Sequence, residues 1–173
     1  MRQLSIVEIN RIKLLTENSV ELTLIEPTKT GLGKSIMDAT GPVRSYLKAK
    51  SLHDYEIQKQ GPENKIQVAA NLVAQEGLIS SIASLYRPVT KKGDPRIWFK
   101  GLGNYTEAND ILGIFEFEKV LYVLNITKLD LSRILDGKLT NPFQELVREI
   151  NKVSNEVADE LLIKLKRIAG III

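Results

Sequence analysis

Residues 65–127 read KIQVAANLVAQEGLISSIASLYRPVTKKGDPRIWFKGLGNYTEANDILGIFEFEKVLYVLNIT, and this stretch decides the fold. Five segments rich in β-branched and aromatic residues follow one another: Lys65 to Val73, Leu78 to Tyr86, Arg96 to Lys100, Ile111 to Phe117 and Val120 to Thr127. The last two predict a hairpin over FEFEK. Short strands on tight connections, with helices only at the margins, point to a barrel or sandwich and away from alternating βαβ units.

Outward from this block, Ser19 to Ile25 alternates Val20, Leu22 and Leu24 against Glu21 and Thr23, the period of a strand with one buried face. Before it, Leu4, Ile6, Val7, Ile9, Ile12 and Leu15 predict a helix that Ser5 and Glu8 open as a capping box. Pro42 opens a second helix in GPVRSYLKAK, and Gly61-Pro62 predicts a turn. Beyond the strands, Asn141 as cap and Pro142 at the first turn introduce a long amphipathic helix through Phe143, Leu146, Val147, Ile150, Val153, Val157, Leu161, Leu165 and Ile168. It ends at Gly170 and three isoleucines, an apolar terminus that reads as the approach to a further domain, or else as a tail tucked onto the barrel. The organisation expected is one unit over 1–140, with 141–173 packing on it or leading away.

Composition limits the chemistry. With 173 residues, 43% of them hydrophobic, the chain can build one core. It has no cysteine and one histidine, His53, which removes thiolate sites and clusters of His ligands. No signal peptide and no membrane span are read, so a cytoplasmic protein is expected. A net charge of +3 is too small to name a partner, and the placement of the cations matters more.

Three constellations carry candidate chemistry. Gly31-Leu32-Gly33-Lys34-Ser35 looks like the back half of a phosphate-binding loop, but Thr28 stands where that loop needs its first glycine. A polar loop whose glycines take positive φ is the plainer reading. Asp38, Asp54 and Glu56 faintly suggest a metal-dependent nuclease, with Gln58 where a lysine should be; a solvated loop, with His53 an ordinary surface histidine, is the plainer reading. The third is YRPVTKKGDPRIWFK, where Arg87, Lys91, Lys92, Arg96 and Lys100 face one acid, Asp94. Pro88, Gly93 and Pro95 make it a protruding loop, with Trp98 and Phe99 anchoring its return. Lysines there can neutralise phosphates, an arginine can grip a guanine edge, and Asp94 can accept from cytosine or simply hold a neighbouring arginine in place; taken alone, the run is as readily a solvated face. The loop with Thr28, Lys29, Thr30, Lys34 and Ser35 is also basic and hydroxyl-rich, so two arms could straddle a groove.

The first arm with its preceding strand, PENKIQVAANLV, and YRPVTKKGDPRIWFKGLGNYTEANDILGIF together resemble the N-terminal recognition domain of EcoRII-like restriction endonucleases. That domain shares the pseudobarrel fold of the plant B-three transcription-factor domains. The resemblance spans about residues 18 to 127. It implies an α+β, mainly β chain: a seven-stranded open pseudobarrel with flanking helices and a long C-terminal helix, clasping double-stranded DNA in the major groove. Its jaws would be Thr28, Lys29, Thr30, Lys34 and Ser35 on one side, and Arg87, Lys91, Lys92, Asp94 and Arg96 on the other. Arg87 and Arg96 would carry base discrimination, and 5′-CCWGG would be the first target to try. The ending KLKRIAG looks like the approach to the catalytic domain of MvaI-type enzymes, which implies a bacterial type II restriction enzyme. Its Mg2+ and catalysis would lie in a C-terminal nuclease domain outside this sequence, and this part would need no cofactor. The rival expectations are a small enzyme, either a nucleotide hydrolase or a self-sufficient nuclease, and a protein-interaction barrel.

Overall fold

A computed structural model describes residues 1–75, 77–128, 130, 146–149 and 152, apart from the side chain of Lys91. The chain runs α1 (Ile6–Glu17), β1 (Thr23–Ile25), α2 (Lys29–Gly33), β2 (Met37–Asp38) and α3 (Gly41–Ala49). It continues with β3 (Ile66–Ala74), β4 (Gly77–Tyr86), β5 (Arg96–Phe99), α4 (Leu102–Tyr105), β6 (Leu112–Phe117) and β7 (Val120–Asn125). The strands form one seven-stranded mixed sheet in the order β1-β6-β7-β3-β4-β5-β2, with β3 and β7 parallel and the other neighbours antiparallel. Curled into a half-open barrel with helices on its flanks, the sheet is the mainly β, α+β pseudobarrel expected. Most of the expected long C-terminal helix lies outside the described residues. Within it Leu146 to Glu149 is helical, and Val147 is buried.

Two apolar clusters share the sheet. Inside the barrel, Leu72, Leu85, Ile97, Phe99, Leu112, Ile114, Leu121 and Val123 meet Val43 and Leu47 of α3. On the other face, Phe115, Tyr122 and Leu124 pack beneath Leu15 of α1 with Val20, Ile126 and Val147. Phe115 and Tyr122 are register partners, and their rings stack at 5.0 Å. Strands β6 and β7 are thus covered on both faces, which is why LGIFEF and VLYVLN carry so few polar residues. The strand expected over Ser19 to Ile25 shortens to three residues. Ser19 takes positive φ, and Val20 and Leu22 turn toward the outer cluster while Ile25 enters the barrel.

The capping box at Ser5 is present: its side chain accepts from the Glu8 N–H at 3.2 Å, and Glu8 returns to the Ser5 N–H at 2.8 Å. Glu8 does more than cap. Nearly buried, it accepts from the Arg2 guanidinium and from the Thr127 hydroxyl at 2.6 Å, tying α1 to the end of β7. The Arg2 bond, against the opposing effect of burial, holds its carboxyl far below the ordinary value of 4.5, with Thr127 and Ser5 assisting. A carboxyl depressed in the folded state stabilises above its unfolded value, and that contribution fades as pH falls through and below it. The thermal midpoint, followed by circular dichroism, should therefore drop between about pH 5 and pH 3, and Glu8→Gln should flatten that drop.

Candidate nucleic-acid interface

The connection from β1 to β2, residues 26–36, forms the first arm. Its centre is the single helical turn α2, which Thr28 caps by accepting from the Gly31 N–H at 3.0 Å. The chain then folds back so that the Ile36 N–H donates to the Gly31 carbonyl at 2.9 Å. A Cβ on Gly31 would sit 2.7 Å from the Ile36 carbonyl oxygen, a backbone atom with little room to yield. Close approach, and not the positive φ expected of these glycines, is what Gly31 provides; the left-handed residue is Ser35, at φ 51°. Gly31→Ala should lower stability by about 1–3 kcal/mol, as overpacking does, and reshape this arm; a urea midpoint measures it. Thr28, Lys29, Thr30, Lys34 and Ser35 are all exposed, and among the described residues neither lysine has a carboxylate partner.

The second arm, residues 87–95, joins β4 to β5. Lys92 and Gly93 take successive left-handed conformations, φ 55° and 72°, and turn the chain tightly back. Gly93 is buried against Gln60, where a Cβ would lie 2.4 Å from the amide nitrogen. Arg87 fastens this turn. Its Nε donates to the Gly93 carbonyl at 2.8 Å, and its Nη1 reaches the carbonyls of Tyr55 and Gln58 at 3.3 and 3.4 Å. Arg96, expected to read a guanine, is instead only 8% exposed. Its Nη1 pairs with Asp38 on the neighbouring strand, and its Nη2 stands 3.8 Å from Asp94. Both arginines hold the arm. What the tip offers to a partner is Val89, Thr90 and Lys92, with Asp94 at its return 61% exposed. The Lys91 backbone belongs to the same turn. Trp98 is half-buried opposite Ser84 and packs on the barrel core, as an anchor should.

The register relates the arms. Met37 pairs with Ile97 and Asp38 with Arg96, antiparallel, so the arms enter this ladder from opposite ends. Extending that register sets Ile36, the root of the first arm, beside Trp98. Pro95, the root of the second, lies three residues back along β5, roughly 10 Å at ~3.4 Å per residue. A B-DNA major groove is about 12 Å wide. No family model, curated protein or solved structure matches the chain.

The rival constellations are not assembled. In a phosphate-binding loop the helix begins at the lysine, whereas here α2 ends at Gly33 and Lys34 is its C-cap. Asp54 and Glu56 are bridged by Lys48 at 3.0 and 2.6 Å, while Asp38 is held by Arg96. Among the described residues no three carboxylate or histidine side chains converge on a metal position. The loop expected to be solvated is partly a plug: Tyr55 is 3% exposed and donates to the Arg96 carbonyl at 2.8 Å. Gln58, also buried, donates to the carbonyls of Asn64 and Leu85 and contacts His53 at 3.0 Å. His53 is accordingly half-buried, edge-on to the Tyr55 ring, and burial lowers its pKa despite the Gln58 bond. Among the described residues, no helix is long and apolar enough to cross a membrane.

Proposed function

We propose that this chain is a sequence-specific double-stranded DNA-binding module, the recognition part of a bacterial type II restriction endonuclease. The observation that carries the reading is the pair of rigidly rooted arms, offset by about a groove's width, whose Lys29, Lys34 and Lys92 lack carboxylate partners among the described residues. Lysines without a local partner are free to neutralise phosphates. Base reading falls to shorter groups: the hydroxyls of Thr28, Thr30 and Ser35, the Asp94 carboxylate toward cytosine N4, and Val89, 69% exposed, toward a thymine methyl. Arg87 and Arg96 fix the second arm in place, and Trp98 supports its return. The module itself uses no cofactor in this reading; Mg2+ belongs to a nuclease domain of the parent enzyme, acting in the bacterial cytoplasm.

Equilibrium anisotropy with labelled 5′-CCWGG and scrambled duplexes, without magnesium, tests it. Tighter binding of CCWGG supports the restriction-type target. Equal binding discards that target and keeps a DNA module, whereas turnover of nucleotide or DNA by this chain with magnesium would favour the enzyme reading.

A further inference from the structure

At the foot of the second arm lies a cleft of ≈ 390 Å³, bordered by Arg44 and Ser45 of α3, by Lys48, by Asp54 and Glu56, and by Arg87 with Pro95 behind it. Three cations against two carboxylates leave it net positive. Lys48 bridges both carboxylates, a group that keeps one net negative charge, so the cleft's positive excess rests on the other two cations. The other two cations are not spent in this way. Arg44 is exposed and has no carboxylate partner among the described residues. Arg87 has Nε and Nη1 committed to backbone carbonyls, so its plane is fixed, while Nη2 has no partner among the described residues. A guanidinium held by two of its nitrogens presents the third without losing further rotamer freedom, which suits it to a tetrahedral oxyanion.

The geometry points to this cleft as the seat of one backbone phosphodiester of the bound duplex, held by the guanidinium of Arg44, the free edge of Arg87 and the hydroxyl of Ser45. This rests on the DNA-binding reading and adds to it a fixed contact outside the two arm tips. Because Arg87 also fastens the second arm, a phosphate seated here ties the position of the DNA backbone to the position of that arm. The seat sets register; the arm tip reads bases.

Arg44→Gln is the informative variant, since Arg44 is exposed and its loss should leave the fold intact, as circular dichroism will show. Wild type, Arg44→Gln and the distant surface variant Lys13→Gln are titrated with a fluorescein-labelled mixed-sequence duplex over a range of salt. Duplexes carrying a single methylphosphonate at each position in turn are then bound to wild type and Arg44→Gln. The expected result is a log affinity against log salt slope shallower by about 0.9 for Arg44→Gln, the value of one phosphate, and unchanged for Lys13→Gln. One methylphosphonate position should weaken wild type and be silent in Arg44→Gln. An unchanged slope, or the absence of any position silenced by the variant, overturns the seat and leaves the two-arm reading standing. Failure of wild type to bind duplex in a salt-sensitive way overturns both.

Discussion

Combined replacement of Lys29, Lys34 and Lys92 by glutamine should weaken binding to every duplex, target or not, by roughly five-hundredfold at ~0.1 M salt. Each phosphate neutralised contributes about 0.9 to the slope of log affinity on log salt, so each contact is worth about eightfold at that concentration, and three multiply. The slope itself should flatten by about 2.7. The three lysines are exposed and project from turns whose backbone is fixed by other groups, so the fold should survive their loss. Because phosphates carry no sequence, the ratio of target to scrambled affinity should hardly change. Anisotropy titrations at several salt concentrations measure both quantities. If the triple variant keeps its salt slope, the arms do not face the backbone.

The largest effect on stability is expected from Asp110→Ala. Asp110 is 5% exposed at the start of the hairpin formed by β6 and β7. It accepts from the Thr106 hydroxyl at 3.0 Å, the Glu107 N–H at 2.8 Å and the Asn125 amide at 2.8 Å, with Lys128 at 3.4 Å. Burial alone would raise its pKa; those bonds outweigh it and hold the carboxyl below its ordinary value. Thr106 and Asn125 are themselves buried, so alanine would strand two polar groups together with a backbone donor. A loss of about 3 kcal/mol or more follows, read as a shift in the urea midpoint. Asp110→Asn, which preserves the shape and one acceptor, should lose distinctly less. Because the neighbouring Asn109 N–H donates to the Pro27 carbonyl at the root of the first arm, duplex affinity measured on the fraction still folded should fall modestly as well.

The long strands were legible because each carries its own pattern over six residues or more, and the capping box at Ser5 and Glu8 marked the first helix from local sequence alone. The two residues of β2 were not. Met37 and Asp38 are a strand only because Ile97 and Arg96 lie beside them, and no window of sequence contains both partners. The same distance hid the roles of the arginines. In sequence Arg96 stands in a basic run, whereas in the fold Asp38 and Asp94 enclose it and make it part of the scaffold. Similarly, a loop as polar as HDYEIQKQ reads as solvated until Tyr55 and Gln58 find carbonyls on β5 and β4. Lys29, Lys34 and Lys92 are exposed, as the turn residues around them imply, since turn residues and lack of apolar neighbours are local properties. Arg44 carries no signal in the sequence, being a single cation in the first turn of a helix; only the fold sets it at the edge of a cleft.

The account turns on whether duplex DNA sits across both arms at once. The direct measurement is amide hydrogen exchange of the chain with and without a saturating mixed-sequence duplex at low salt. The expected result is new protection in residues 28–36 and in residues 87–95 together, with α1 unchanged. Protection confined to α1 or to the outer face of β3, or no change anywhere, would contradict it.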